Sequence, residues 1–459
     1  MTPVAVLITI ASYFLILFTI SYIAGRKADN EGFFVGNRKS AWYVVAFAMI
    51  GSSISGGQII IAFVLIPLFY RMNLVSIYEY LENRFGTSSY KTGAWFFFIS
   101  KILGAAVRLY LVCLTLQLLV FEPFHMPFIM NVILTVALVW LYTFRGGVKS
   151  LIWTDSLKTF CLIVSVVLCI YYISTDLKLS FTEMFSTVSD SALSHMFFFD
   201  NVNDKRYFFK QFLAGVFTMI AMTGLDQDMM QRNLSCKNFK DSQKNMITSG
   251  ISQFFIILLF LMLGVLLYTF TSHQGITNPA KSDELFPMIA TGGYFPTIVG
   301  ILFIIGLISS AYSAAGSALT ALTTSFTVDI LGIKGKTEDT VRKTRKKVHV
   351  GMAIVMGIVI FIFNLLNNTS VIDAVYILAS YTYGPILGLF AFGILTKRQV
   401  RDRYIPLVSI LSPILCFILQ KNSETWFHGY QFSYELLIFN ALFTFIGLCF
   451  LIKKTINLT

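Results

Sequence analysis

Hydroxyl side chains recur on one face of a helix that the sequence predicts over residues 294–330. Their spacing of three and four residues stacks them along that face, and the surrounding residues are apolar. Oxygens at such a depth could coordinate a hard cation such as sodium. Small polar residues of this kind also allow close helix packing or bond back to the preceding turn. The residues concerned are Ser310, Ser313, Ser317, Thr320 and Thr324.

Small polar clusters interrupt two other apolar runs. The first covers 51–57 and the second 222–228. Backbone groups freed from a helix cannot face lipid unpaired, so such breaks survive only where protein, water, an ion or a substrate pairs with them. Two interrupted helices in a membrane protein are typical of a secondary transporter.

An acid and two aromatic residues also stand out. Asp155 lies in an apolar run, where a carboxylate needs a partner, although pairing with Lys149 or Lys158 at the interface would also satisfy it. Tyr381 and Tyr383 precede Pro385, which bends a helix by removing an amide donor. Such a bend suits a gate, but it is equally consistent with a packed aromatic belt at an ordinary kink.

The composition is that of a membrane protein that crosses the bilayer many times. The 459 residues are 56% apolar and 13% charged, with a mean hydropathy of +0.73. The net charge of +12 lies in short loops, which indicates topology and not nucleic-acid binding. No cysteine spacing suggests a disulfide or metal framework, and the run 4–24 is expected to remain as a spanning helix.

Thirteen apolar runs and the alternation of loop charge predict the topology. By the positive-inside rule the basic loops face the cytoplasm, which leaves the N-terminus outside and the C-terminus inside a cell (inner or plasma) membrane. The runs are 4–24, 41–57, 58–70, 92–121, 126–144, 152–173, 209–231, 246–272, 294–330, 350–367, 370–395, 403–420 and 434–453.

One stretch does not fit this topology. The loops 25–40 and 71–91 are both basic, so the segment 41–70 must cross twice. The run 58–70 is roughly 20 Å long as a helix, against a hydrocarbon core of about 30 Å. We infer that about 20–30 residues which the topology requires between Gly57 and Ile59 are absent, and that a chain without them would lose half of its substrate cavity.

Several ordered motifs resemble the sodium:solute symporter family, whose members include sodium–sugar, sodium–proline and sialic acid symporters. The resemblance runs over nearly the whole chain. Its motifs are the break 51–57 with Gly36-Asn-Arg38 and Trp42 before it, Gly146 to Asp155, Gly224 to Arg232 followed by Lys237 and Gln243-Lys244, the Ser/Thr-rich run 309–327 ending at Asp329, and Gly384 to Gly388 before Lys397-Arg398.

The resemblance implies an all-α, leucine-transporter-like fold with two inverted repeats of five transmembrane helices. One extra helix would precede the repeats and two would follow them, about thirteen in all, and a broken helix would open each repeat. The expected division is 1–40, 41–173 for the first repeat, 174–208 for an extracellular loop, 209–395 for the second repeat and 396–459.

The resemblance also implies site residues. Sodium would be bound by backbone carbonyls near Gly51 and Ile54 and by oxygens of Ser310 and Ser313. Asp155 would also bind sodium, near its exit path, since the matching acid contributes to a second sodium site in some members. Ala314 replaces a hydroxyl that many relatives carry, which leaves the number of sodium ions open. Tyr381 and Tyr383 would gate, and substrate contacts would come from Ser52, Ser53, Ser55, Asp226, Gln227 and Asp228. The acid at Asp226 could favour substrates with hydroxyls or amines over carboxylates, or it could instead pair with Lys101 or Arg108.

We therefore expect a sodium-coupled symporter for a small polar solute, with a sugar or sugar acid preferred to an amino acid or vitamin carboxylate. Its partners would be the solute, Na+ and the lipid bilayer, without nucleic acid. A membrane enzyme is disfavoured because the chain has no HExxH, GxSxG, Walker or paired metal-ligand motif. A channel or a substrate sensor would also be compatible with broken helices, and concentrative sodium-dependent uptake would separate a symporter from both.

Overall fold

The computed structural model describes residues 3–25, 57–74, 76–195, 197–279, 282–332, 336–366 and 371–453, and for residues 145–158 it describes the backbone only. Every regular element among these residues is helical, apart from an isolated bridge between Val400 and Ile452. The principal helices are α1 (Pro3–Gly25), α2 (Gly57–Arg71), α3 (Glu79–Arg84), α4 (Thr87–Leu116), α5 (Phe128–Asp176), α6 (Phe181–Ser189), α7 (Phe208–Met219), α8 (Gln227–Asn233), α9 (Phe239–Gln274), α10 (Leu285–Thr291), α11 (Thr297–Ser325), α12 (Glu338–Leu366), α13 (Val371–Leu395), α14 (Ile405–Trp426) and α15 (Leu436–Phe450).

Seven helices of the described part are long and apolar enough to cross a membrane, or eight if a bent pair counts as one span. Shorter apolar helices include Gly57–Arg71, which is too short for a full crossing, as the sequence predicts for 58–70. Residues 26–56 lie outside the described part, so the total of thirteen and the absent segment stay predictions.

The loop charges predict a basic loop around Arg145 to Lys149, between the runs 126–144 and 152–173, and this prediction is wrong. Helical backbone continues through it from Phe128 to Asp176. Gly146 and Gly147 lower helix stability by about 1 kcal/mol each but do not prevent a helix, and no proline lies in this stretch. Basic residues in this stretch are therefore compatible with a helix, and their charge alone does not indicate a loop.

Two large buried apolar clusters hold many of the described helices together. One joins α2, α3, α4, α13 and α15, and the other joins α1, α4, α5, α11 and α12. Met222, in the predicted second break, packs against both clusters. The break thus lies where the two packed groups of helices meet.

The second broken helix is confirmed. After α7 the chain forms a π-helical turn over Ile220–Gly224, and α8 then leaves at 68°. The Leu225 amide donates to the Ile220 carbonyl at 3.0 Å, and the Leu225 carbonyl accepts from the Tyr78 hydroxyl at 2.8 Å. Protein groups therefore pair the backbone that the break frees, as an apolar environment requires.

Loops predicted on the same side of the membrane contact one another. At one end Arg84 donates to the carbonyls of Gly393 and Thr396, and Asp402 accepts from the amides of Ser88 and Ser89. At the other end, the Lys210 ammonium lies 3.5 Å from the centroid of the Tyr430 ring. These contacts agree with the predicted grouping of the loops, although they do not say which group faces the cytoplasm.

Candidate functional site

A cavity of about 410 Å³ lies between α4, α8, α11 and α13. This volume falls in the range of small-molecule sites. Its wall combines small residues of α4 and α11 with apolar residues of α13, including Val375 and Ala379. Its polar lining consists of Ser100, Lys101, Arg108, Asp226, Asp228, Arg232, Gln253, Ser310, Ser313, Ser317, Tyr376 and Tyr383.

Four buried charged side chains form a network at the second break. The Lys101 ammonium lies 3.1 Å from a carboxylate oxygen of Asp226 and 2.8 Å from one of Asp228. The Arg232 Nε atom lies 3.5 Å from the other oxygen of Asp228. The two cations and two acids are each no more than 6% exposed and balance in charge. Asp226 therefore pairs with Lys101, as the sequence allowed.

Two hydroxyl groups tie this network to neighbouring helices. The Tyr383 hydroxyl of α13 donates to Asp226, and the Ser317 hydroxyl of α11 donates to Asp228. Asp226 also caps α8, accepting from the Met229 amide at 3.2 Å. The start of α8 is thus positioned by contacts to α4, α11 and α13 together.

The hydroxyl stripe on α11 divides into three parts. Ser310 and Ser313 line the cavity, while Ser317 belongs to the charged network. Thr320 and Thr324 each donate to the carbonyl four residues earlier, at 2.9 Å. The packing interpretation therefore holds for the threonines, whereas all three serines line the cavity, beside Ala314.

Other predicted residues lie elsewhere. The Gln227 side chain is fully buried and accepts from the Ile77 amide at 2.9 Å, and the Tyr381 hydroxyl donates to Gln420. Neither residue lines the cavity. Gly51, Ile54, Ser52, Ser53, Ser55 and the side chain of Asp155 lie outside the described residues.

Arg108 is the cavity residue whose role the sequence left undefined. It lies seven residues after Lys101, so the two cations share one face of α4. Lys101 has two acids as partners, whereas among the described residues no carboxylate pairs with Arg108, which is exposed to the cavity. Two cationic residues seven positions apart in an apolar run are the sequence pattern that could have indicated Arg108 as a site residue.

Comparison with known proteins identifies the class. The sequence profile of the sodium:solute symporter family matches residues 57–402, most of the chain. The chain belongs to the sodium:solute symporter family. This membership confirms the expected class, a membrane transporter and not an enzyme, and it confirms Na+ as the coupling ion of the family.

Individual symporters are similar over most of this chain. The sodium/sialic acid symporter NanT of Aliivibrio fischeri is 27% identical over an alignment of 389 positions that covers 79% of this chain and 72% of that protein. The human sodium-coupled monocarboxylate transporter 2 is 24% identical over an alignment of 407 positions that covers 80% of this chain and 64% of that protein. The chain thus spans between two thirds and three quarters of the first relative and somewhat less than two thirds of the second.

A solved structure shows the same fold. A Na+-coupled sialic acid symporter in a substrate-bound, outward-open state superimposes with a TM-score of 0.81 at 19% identity, covering 98% of this chain and 99% of that one. The likeness confirms the leucine-transporter-like fold expected for this symporter family member. The division into repeats and the roles of individual site residues stay predictions.

Proposed function

We propose that this symporter uses the sodium gradient to import a small solute that carries a carboxylate, with a sugar acid preferred to an amino acid or vitamin carboxylate. The observation that carries the proposal is a single cavity lined by the α11 hydroxyls and by Arg108. The relatives support it, since sialic acid and monocarboxylates, named for those proteins, share a carboxylate.

The charges around the cavity favour an anionic group near Arg108. Asp226 and Asp228 are already paired with Lys101 and Arg232, so they do not offer a free carboxylate to a cationic substrate. A guanidinium presents parallel N–H donors that match the two oxygens of a carboxylate. Sugar hydroxyls could then bond to neutral groups of the same wall, such as Ser100 and Gln253.

Sodium would bind as a co-substrate beside the solute. Ser310 and Ser313 offer neutral oxygens, which suit a hard cation, and the proposed carbonyls of Gly51 and Ile54 would complete the site, with Asp155 near the exit path. Binding would stabilise an outward-open state, and both ligands would then favour the inward-facing state. Each charge that enters adds about 2.3 kcal/mol per 100 mV of membrane potential.

The proposed orientation follows the loop charges. We infer that the N-terminus lies outside and the C-terminus in the cytoplasm of a cell membrane, because Lys and Arg concentrate in cytoplasmic loops. The basic loops at 71–91 and 397–403 would then lie inside, and the loops 174–208 and 421–433 outside. The repeats 41–173 and 209–395 would move relative to each other during the cycle.

Sodium-dependent accumulation tests the proposed activity. In proteoliposomes with an inward sodium gradient, labelled N-acetylneuraminate, lactate, proline and glucose are assayed, and we expect an acid to accumulate above its outside concentration. Ser313→Ala should raise the sodium concentration for half-maximal uptake about tenfold through loss of one oxygen ligand, whereas Thr320→Val should leave it unchanged.

Uptake that only equilibrates the solute across the membrane would instead indicate a channel. If no solute enters, the assay is repeated with a relative's 20–30 residues inserted after Gly57, and failure of that chain would reject the proposal.

Replacement of Arg108 tests the carboxylate assignment separately. Arg108→Gln should raise the concentration of the transported acid that gives half-maximal uptake about thirtyfold, because a charge-assisted bidentate bond contributes about 2 kcal/mol. Uptake is measured against solute concentration at saturating sodium. The control is Arg398→Gln, an exposed residue away from the cavity. If the Arg108→Gln protein needs the same solute concentration for half-maximal uptake as the wild type, the carboxylate binds elsewhere or the substrate carries no carboxylate.

A further inference from the structure

A second cavity lies on another part of the molecule, between α5 and α12. It encloses about 470 Å³, and its lining is apolar throughout. On α12 it extends from Val350 to Phe361, which is about 17 Å of helix, close to the depth of one leaflet of the hydrocarbon core. We name it the α5–α12 groove, and its lining residues on α5 run from Ile129 to Trp140.

Basic residues lie at one end of the α5–α12 groove. Lys346 and Lys347 precede Val350 by one helical turn and therefore continue the same face of α12. The Lys346 ammonium lies 5.4 Å from the centroid of the Phe144 ring, and Phe144 follows Trp140 by one turn on α5. The cation thus reaches across to the helix that forms the other wall.

The same end of the groove holds an unsatisfied donor. The indole N–H of Trp140 is buried and has no hydrogen-bond acceptor among the described residues. Such a donor costs free energy in an apolar site. Gly357 leaves space in the middle of the groove, since a Cβ atom there would meet only the Val136 side chain, at 3.8 Å.

We propose that the α5–α12 groove binds one anionic phospholipid. An acyl chain fits an apolar groove of one-leaflet depth, and the phosphate would bind to Lys346 and Lys347 at its end. Basic pockets between transmembrane helices at the cytoplasmic side attract anionic head groups. The charge at the groove's end therefore favours this lipid over a zwitterionic lipid or over the apolar face of a second copy.

Lipid binding to the full chain in neutral detergent tests the proposal. Phosphatidylglycerol or phosphatidylcholine is added, and bound lipid is counted by native mass spectrometry while thermal unfolding is followed. We expect phosphatidylglycerol to bind in preference to phosphatidylcholine. K346Q/K347Q should lower that preference about thirtyfold, because each lysine near an anionic surface contributes about 1 kcal/mol to binding. G357W should abolish binding of both lipids by filling the groove.

Matched variants separate this site from general lipid contact. G264W adds the same bulk at a glycine of α9 that also has open space around it, and K237Q/K240Q removes two exposed lysines elsewhere. Both controls should bind like the wild type. Equal lipid preference in K346Q/K347Q and the wild type would overturn the proposal. A dimer of the wild type that dissociates in G357W would also overturn the proposal, because that result would show that a second copy occupies the groove.

Discussion

Lys101→Met is expected to lower the free energy of unfolding by about 3–5 kcal/mol, because it leaves a buried carboxylate without its cation. Lys101 is 6% exposed and contacts both Asp226 and Asp228, whose burial is equally deep. Asp228 keeps Arg232, but Asp226 loses its ion-pair partner. Unfolding is measured by chemical denaturation in mixed micelles, with thermal unfolding as a second readout.

A second substitution shows whether charge or packing causes this loss. In Lys101→Met/Asp226→Asn the unpaired charge is removed while Asp228 and Arg232 remain paired, so we expect most of the stability to return. The control Lys205→Met replaces an exposed lysine and should stay within about 0.5 kcal/mol of the wild type. A Lys101→Met protein as stable as this control would mean that cavity water screens Asp226.

Asn440→Leu is the second substitution with a large expected effect, a loss of about 3 kcal/mol of stability. Pro385 has no N–H to offer the carbonyl of Tyr381, four residues earlier in α13. The Asn440 amide of α15 donates to that carbonyl and to the Ser380 carbonyl, both at 2.9 Å. Leucine has the same branched shape but a larger volume, so it removes these bonds without opening a cavity and adds some overpacking against Gly384.

The double mutant with Pro385→Ala tests this explanation. Alanine restores an amide that can donate to the Tyr381 carbonyl, so Asn440→Leu should cost about 1–2 kcal/mol less in that background. The control Asn422→Leu changes an asparagine whose amide bonds back within α14 on the exposed surface. Additive effects of Asn440→Leu and Pro385→Ala would disprove the compensation between the two helices.

The charged network also constrains how α8 can move relative to α4. Lys101 belongs to α4, whereas both acids lie at the break before α8, and Tyr383 joins them from α13. Any movement of α8 relative to α4 separates opposite charges in a site shielded from bulk water, which costs more free energy than at a surface. A rearrangement of the break must therefore bring in water or new partners for the same groups.

Local rules predicted much of this protein. Long apolar runs indicate spanning helices whatever their neighbours, and the polar cluster at 222–228 indicates a break because a freed backbone must find partners. The break is present, with Leu225 paired by Tyr78. The motifs led to the correct family. The same local rules failed near Gly146, where the basic residues Arg145 and Lys149 between two apolar runs suggested a loop and the backbone is helical.

The sequence by itself determined that this is a membrane-spanning sodium:solute symporter with an interrupted helix, and that Ser310 to Thr324 share one helix face. Tertiary structure alone decided what each polar group on these faces meets. Ser313 lines the cavity while Thr324 bonds to its own helix, and Lys101 is paired with acids while Arg108 faces the cavity. The reason is physical. Helical periodicity depends on the local backbone and is readable from spacing, whereas the partner of a buried polar group depends on distant segments that packing brings together.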